Sequence, residues 1–181
     1  ENRPEWPIAH LAIMAAGGIT VPAYTTNTVN DHLYILSNSG AKAAIVSTTK
    51  LAERMIPAAH QTDGLSCVLT MEDMDISQAS GVDIRTWKAV INAGKAIEDG
   101  VSDAIDTPAD DDTAVIIYTS GTGGAPKGVM LPHKAILHNC RGAADLLADL
   151  GLEEEVFLSF LPLSHSYEYT AGQFFPIFIG A

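Results

Sequence analysis

Basic residues and cysteines are both scarce in this sequence. Lys and Arg together number 10 against 22 Asp and Glu in 181 residues, which gives a formal net charge of -12. Nucleic acids and anionic membrane surfaces attract basic proteins, so the composition disfavours both as partners. The two cysteines, Cys67 and Cys140, lie too far apart for a disulfide framework or a metal knuckle. A reducing cytoplasm is therefore the expected location, and a peripheral position at a membrane stays open.

Long hydrophobic runs are also missing. No uninterrupted apolar stretch approaches about 18 residues, and no signal-peptide pattern opens the chain, so no transmembrane segment is predicted. What the sequence does have is 47% apolar and only 18% charged residues. This balance is typical of a globular protein with a large core, and it excludes general disorder.

Both ends of the chain are apolar. WPIAHLAIMAAGG lies close to the first residue, and the last residues are AGQFFPIFIGA, without a polar tail. Natural termini usually end in polar residues at the surface. We therefore interpret the chain as a piece of a longer polypeptide. We also expect residues 174–181 to expose apolar side chains through which the piece associates with itself.

Apolar strand-like segments alternate with helical ones along most of the chain. Strands are predicted at 19–24, 42–47, 65–70, 113–120 and 156–162, and helices at 7–16, 32–39, 49–59, 84–97, 133–151 and from about Ser164. Asn30 or Asp31 is expected to cap the second helix, which Gly40 ends, and the first helix is expected to be buried all round. This alternation predicts an α/β fold with an open, mostly parallel sheet and helices on both faces. We divide the chain into an α/β segment (1–70), an acidic connecting region (71–112) and a third part (113–181).

One stretch, YTSGTGGAPKGVMLPH at residues 118–133, has few side chains that could form a core. It follows a predicted buried strand and precedes a predicted helix, which is where phosphates bind in α/β proteins. Its glycines allow several backbone N–H groups to converge on one anion, while hydroxyl groups and Lys127 add donors and a positive charge. These are the components of a polyphosphate site.

Two familiar phosphate loops are excluded by the spelling of this stretch. A Walker loop needs glycine before the lysine and Ser or Thr after it, but Pro126 precedes Lys127 and Gly128 follows it. A dinucleotide fingerprint needs a third glycine where Pro126 stands. A phosphate-binding oxidoreductase or kinase is therefore disfavoured.

The same stretch resembles the phosphate-loop signature of the adenylate-forming enzymes, which include acyl-CoA synthetases, luciferases and peptide-synthetase adenylation domains. The usual form is Y-T-S-G-T-T-G-x-P-K-G, followed by a strand and a histidine, and Gly123 stands where the family usually has a second threonine. The segment from Leu11 to Ser47 looks like the family's upstream region. FLPLSHSYEYTAG, from Phe160, resembles the next motif in the form most like the long-chain fatty acid branch. The resemblance covers most of the chain and is weakest at 71–112.

The resemblance implies an ATP-dependent acid–thiol ligase. Enzymes of this family join a carboxylate to AMP with ATP and Mg²⁺, release pyrophosphate and pass the acyl group to coenzyme A. By resemblance, Thr122 helps to hold Mg²⁺ and Lys127 neutralises the departing pyrophosphate. The residues implied to cradle the β- and γ-phosphates are Thr119, Ser120, Gly121, Thr122, Gly123, Gly124 and Lys127.

The second motif implies two further site residues. His165 matches the family histidine at the acyl pocket, next to the α-phosphate and the carboxylate. Tyr169 matches a position where some long-chain enzymes carry an aromatic gate. Glu168 receives no chemical role. Gly123 removes one hydroxyl contact and predicts a looser loop.

The resemblance also implies that other parts of the site lie outside the chain. Family members place adenine recognition, the magnesium-binding glutamate, the ribose-binding aspartate and the adenylation lysine in later segments, and they carry a small C-terminal domain. We therefore expect residues 1–181 alone to have no ligase turnover. Two alternatives stay open: an adenylating enzyme for an aryl or amino acid, and a catalytically silent nucleotide-binding module.

Overall fold

The computed structural model describes residues 1–74, 81–97, 108–119, 125–148 and 155–181. They form two compact units, one made of Glu1–Tyr24 with Ala104–Ala181 and the other of Thr25–Asp103. We call these the first unit and the second unit. The three parts predicted from the sequence (1–70, 71–112 and 113–181) have boundaries that differ from those of the two units. That division stays a prediction.

In chain order the elements of the described residues are α1 (Glu5–Ala15), α2 (Val29–Ser39), β1 (Ala43–Val46), α3 (Thr49–His60), β2 (Cys67–Thr70), β3 (Asp83–Thr86), α4 (Trp87–Lys95), β4 (Thr113–Thr119), β5 (Lys127–Pro132), α5 (His133–Leu147), α6 (Ser166–Glu168), a π-helical turn (Tyr169–Phe174) and α7 (Phe175–Ile179). The last three follow one another without a break and are called the 166–179 helical segment. No helix within the described residues is both long enough and apolar enough to traverse a bilayer.

The second unit contains a parallel sheet in the order β1-β2-β3, with Cys67 of β2 opposite Ala43 on one side and Asp83 on the other. Buried side chains of α2, β1, α3 and β2, among them Val68, Ala58 and Ala59, form its core. Parallel strands joined by helices are what the alternation in the sequence predicts. The α/β class is thus confirmed.

Two details of the second unit differ from the prediction. Thr28, not Asn30 or Asp31, caps α2: its hydroxyl accepts the N–H of Asp31, whose carboxylate accepts the N–H of Thr28 at 2.8 Å. Residues 84–97 are not one helix, because the Thr86 side chain accepts the N–H of Ala89 and starts α4 only there. The residues before Thr86 are free to pair as the third strand, β3.

The first unit is built on the antiparallel pair of β4 and β5, packed against α5 and the 166–179 helical segment. Its core cluster comprises Ala114, Val115, Ile117, Ile136, Cys140, Tyr169 and Phe175. The strand predicted at 19–24 is reduced to one parallel bridge, in which Thr20 donates to the carbonyl of Ala114 and accepts from the N–H of Ile116. Pro22, which lacks an N–H group, prevents a longer ladder.

Two other predictions for the first unit are wrong. Helix α1 is not buried all round, because only Ala9 and His10 are buried while Ile8 and Leu11 are exposed. Residues 156–162 form no strand, and Val156, Leu158 and Phe160 are exposed. Apolar character alone suggested burial at both places, but the described residues provide no surface that covers these side chains.

Candidate functional site

The glycine-rich loop connects two antiparallel strands. Tyr118 lies opposite Gly128 and Thr119 opposite Lys127, so residues 120–126 link the ends of a hairpin. The position expected from the sequence, between a buried strand and a helix, is wrong because β5 intervenes before α5 begins at His133. The order of loop, strand and histidine agrees with the family form.

Gly128 sets the geometry at the base of this hairpin. A Cβ atom added to Gly128 would lie 2.9 Å from Cγ2 of Ile116 and 3.1 Å from Cζ of Tyr118. The Tyr118 side chain is buried and occupies the space that a side chain at 128 would need. Glycine therefore allows the tyrosine ring to cover the partner strand, which fixes the register next to the loop.

The structure brings two predicted phosphate-binding residues together. Thr119 and Lys127 are directly opposed in the ladder and both are exposed. Opposed residues of an antiparallel pair project to the same face of the sheet. A hydroxyl and an ammonium group therefore flank the loop end of the hairpin on one face. The other predicted members, Ser120, Gly121, Thr122, Gly123 and Gly124, lie outside the described residues.

The start of α5 is held by the acidic turn before β4. The N–H of His133 donates to the carbonyl of Asp112 at 3.0 Å, and the N–H of Lys134 donates to the carbonyl of Asp110 at 2.9 Å. The ammonium group of Lys134 forms an ion pair with Asp111. This turn thus satisfies helix N–H groups that no side chain caps, and it fixes α5 beside the strand that leads into the loop.

His165 is exposed and caps the N-terminus of the 166–179 helical segment. Its Nδ1 atom accepts the backbone N–H of Tyr167 at 3.2 Å. The backbone N–H of His165 donates to the carbonyl of Pro162 at 2.8 Å. When the ring is neutral, an accepting Nδ1 requires that Nε2 carry the hydrogen. His165 therefore presents an Nε2–H donor that suits a carboxylate or phosphate oxygen.

Tyr169 lies in the core and is 0% exposed. Its hydroxyl shares a 2.9 Å hydrogen bond with Nε2 of His10, and its ring centroid lies 5.0 Å from that of Phe174. Burial raises the pKa of the Tyr169 hydroxyl, against a smaller opposing effect of its hydrogen bond to Thr20. These contacts give Tyr169 a structural role, and the gate assignment stays a prediction.

The sequence did not predict that two polar side chains of the 166–179 helical segment are buried. Glu168 is 2% exposed and Gln173 is 4% exposed. Oε1 of Glu168 and both amide atoms of Gln173 have no hydrogen-bond partner among the described residues. Glu168 immediately precedes the π-helical turn and Gln173 lies within it.

The described residues contain no group of three or more His, Cys, Asp or Glu side chains arranged to hold a metal ion. The predicted magnesium contact, Thr122, lies outside these residues. The donor set of the described part, a threonine hydroxyl and a lysine, is suited to phosphate oxygens rather than to a cation.

Comparison with known protein families gives a match along the whole chain. The family model described as "AMP-binding enzyme" matches residues 1–181. The chain is 32% identical over 167 residues to the "Long-chain-fatty-acid--CoA ligase ACSBG2" of Xenopus laevis, covering 91% of this chain and 22% of that protein. It is 30% identical over 177 residues to the "Long-chain-fatty-acid--CoA ligase 6" of Mus musculus, covering 93% of this chain and 25% of that protein. The chain thus spans about a quarter of the length of these curated relatives.

Solved structures show the same fold. ATP-bound MatB from Rhodopseudomonas palustris superposes with a TM-score of 0.74 at 22% identity, covering 98% of this chain and 32% of that one. A red-emitting luciferase from Phrixothrix hirtus superposes with a TM-score of 0.70 at 20% identity, covering 98% of this chain and 33% of that one. At these identities the similarity concerns the fold alone.

Proposed function

Because the chain belongs to the AMP-binding enzyme family, we propose that it is the phosphate-binding part of a long-chain fatty acid CoA ligase. The whole enzyme activates a fatty acid with ATP to acyl-AMP and then transfers the acyl group to coenzyme A. The observation that carries this proposal is the pairing of Thr119 with Lys127 at the two ends of the glycine-rich loop. That arrangement gives a polyphosphate both a hydroxyl donor and a positive charge on one face.

Each site residue has a part in the adenylation step. The loop holds the β- and γ-phosphates of ATP, and Lys127 balances the negative charge that accumulates on pyrophosphate as it departs. Bound Mg²⁺ supplies further positive charge at the phosphate oxygens, with the Thr122 hydroxyl as a proposed ligand. His165 donates from Nε2 to an oxygen of the reacting carboxylate or the α-phosphate.

The acid substrate is proposed to be a long-chain fatty acid. Support comes from the L-P-L-S-H-S-Y-E spelling at 161–168 and from relatives at 30–32% identity whose names specify long-chain fatty acids. An adenylating enzyme for an aryl or amino acid is the alternative, because a shared fold does not fix the substrate. A silent module is disfavoured because Lys127 and His165 both present exposed polar groups.

The test is acid-dependent ATP–pyrophosphate exchange by the whole protein that contains this chain. Palmitate, short acids, aryl acids and amino acids are compared, and exchange is expected with palmitate alone. Lys127→Ala should lower kcat by about 10²-fold or more, because the charge that balances pyrophosphate is lost. Lys134→Ala removes a lysine that pairs with Asp111 outside the loop and serves as the matched control.

Three outcomes would contradict the proposal. Absence of exchange with every acid would favour the silent module, and full activity of Lys127→Ala would remove the loop from the reaction. Exchange with an aryl or amino acid in place of palmitate would support the alternative enzyme. Residues 1–181 alone should give only background exchange in the same assay.

Two further properties belong to this proposal. We expect the 1–181 chain to self-associate through residues 174–181, where Ile177 and Phe178 are exposed. A cytoplasmic location is proposed from the cysteine content and the acidic composition, with peripheral contact to a membrane left open. Fractionation of cells that produce the whole protein, with and without a high-salt wash, tests the location.

A further inference from the structure

We infer that the N-terminal segment positions His165 through two side chains, Asn2 and His10, which contact the chain on either side of it. Asn2 and His10 are called the N-terminal brace. They are positioning residues, since neither is placed at the reacting atoms. The inference rests on the proposed function, because it assigns these residues to the adenylation step in which His165 acts. It also gives Tyr169 the role of an anchor in place of a gate.

The first contact of the brace lies before His165. The Nδ2 group of Asn2 donates to the carbonyl of Leu161 at 2.7 Å and to Oγ of Ser159 at 3.0 Å. Its Oδ1 atom accepts the N–H of Leu163 at 3.0 Å. One amide side chain thus bonds to three residues of the segment that leads into His165. Because it uses both its donor and its acceptor, it fixes the direction of that segment as well as its position.

The second contact lies after His165. His10 and Tyr169 share the buried hydrogen bond, and the two residues are 4% and 0% exposed. Trp6 stacks on His10 with ring centroids 5.0 Å apart and an interplanar angle of 9°, and Phe174 lies edge-on to His10. A swing of Tyr169 would break the hydrogen bond and leave buried polar groups unpaired, which is unfavourable. The enclosure thus favours a fixed tyrosine.

The anchor is connected directly to His165. The N–H of Tyr169 donates to the carbonyl of His165 at 2.9 Å, across one helical turn. Within that turn Nδ1 of His165 accepts the N–H of Tyr167. The orientation of the imidazole therefore depends on the helical turn, and the position of the turn depends on Tyr169. Helix α1 also packs Trp6 and Met14 against this core, but among its buried residues only His10 forms a side-chain hydrogen bond to Tyr169.

The brace is tested by removing the tyrosine hydroxyl in the whole protein. Tyr169→Phe keeps the ring packing and should lower kcat of palmitate-dependent exchange about tenfold while leaving KM for ATP unchanged, because a displaced His165 affects the reacting geometry and not the loop. Asn2→Ala and His10→Gln should act in the same direction. Tyr167→Phe, an exposed tyrosine in the same turn, is the matched control and should behave as wild type.

The decisive comparison uses a background without His165. In His165→Ala, the added Tyr169→Phe change should lower kcat no further, although it lowers Tm in both backgrounds. An equal fall in kcat in both backgrounds would mean a merely structural role and would overturn the inference. A gate would instead leave kcat with palmitate intact in Tyr169→Phe and alter the chain-length preference in Tyr169→Ala, which would also overturn it.

A readout that needs no turnover separates failure of the brace from failure of the proposed function. Proton NMR of the His165 imidazole in the whole protein is compared for wild type, Tyr169→Phe and Tyr167→Phe. The brace requires a change of the His165 resonance in Tyr169→Phe alone, whether or not any acid supports exchange. An unchanged resonance would refute the positioning role even in an active ligase.

Discussion

At the scale of single residues, the sensitivity of the first unit to acid should depend on His10. Burial lowers the pKa of His10 from 6.5 to about 4, so the unfolded chain binds a proton more readily than the folded one between these values. The contribution of His10 is therefore complete above about pH 6.5 and is lost as the pH falls towards 4. It amounts to about 3 kcal/mol of unfolding free energy.

Urea unfolding at pH 7.5 and pH 4, followed by circular dichroism, measures this loss. His10→Gln should be less stable than wild type at pH 7.5 but should lose less stability on acidification. His138→Gln, at an exposed histidine of α5, is the control and should lose as much as wild type. Burial also lowers the pKa of His32, in the second unit. His32 is present in all three proteins, so its contribution to the acid-induced loss of stability has the same direction in each. Equal losses in wild type and His10→Gln would contradict the prediction.

Gly128 is the other residue at which a single atom should matter. In Gly128→Ala the new Cβ would lie 2.9 Å from Cγ2 of Ile116 and 3.1 Å from Cζ of Tyr118, so both side chains must shift. Overpacking of this kind costs about 1–3 kcal/mol of unfolding free energy. Gly142→Ala is the matched control, because nothing lies within 4 Å of a Cβ there. Since Gly142 is inside α5, that change should stabilise the chain by up to about 1 kcal/mol. Equal Tm values for both variants would exclude this account.

Sequence patterns could identify some site residues but not their supports. Lys127 and His165 were predicted from motifs, and both are exposed with polar groups available to a ligand. His10 was part of an apolar helix in the sequence analysis, and its partner Tyr169 lies 159 positions away. No local pattern carries information about a contact over that separation.

At the scale of elements, the π-helical turn packs the buried carboxylate of Glu168 against Gly172. A Cβ atom at Gly172 would collide with Oε1 of Glu168, so an alanine there requires this buried carboxylate to move. Gly172→Ala should therefore lower Tm by several degrees. Glu168→Ala combined with Gly172→Ala should recover part of the loss, because the colliding group is removed. A double variant less stable than Gly172→Ala would show that the collision is not the cause.

The hairpin shows why apolar periodicity did not predict β5. In β5 the residues from Lys127 to Met130 are all exposed, so neither face has the apolar pattern of a buried strand. β4, with Ala114, Val115, Ile117 and Tyr118 buried, was predicted correctly in place and type. The loop signature does predict β5, because the family form includes a strand between the loop and the histidine.

At the scale of the whole molecule, the fold class was predictable and the grouping of elements was not. Alternating helices and strands predicted the parallel sheet of the second unit. The assignment of Glu1–Tyr24 to the first unit depends on long-range contacts such as the bridge of Thr20 to Val115. Such contacts depend on side-chain shape and on backbone N–H and C=O groups that are not yet hydrogen-bonded. Neither can be derived from the amino-acid composition.

The exposed apolar end of the first unit has a consequence for the assembly state. Sedimentation of residues 1–181 over a range of concentrations should show reversible self-association. Ile177→Ser with Phe178→Ser should shift the equilibrium towards monomer, whereas Ile91→Ser in α4, an exposed apolar residue of the second unit, should not. A wild-type monomer at every concentration would contradict the expectation.

The two tryptophans of the chain are divided between the units: Trp6 stacks on His10 in the first, and Trp87 begins α4 in the second. Each unit therefore contains one intrinsic fluorophore. In Trp87→Phe the remaining emission follows the first unit, and in Trp6→Phe it follows the second. Coincident transitions of these two single-tryptophan proteins would mean that the chain unfolds cooperatively. Separate transitions would mean that the two units unfold independently of each other, each reported by its own tryptophan.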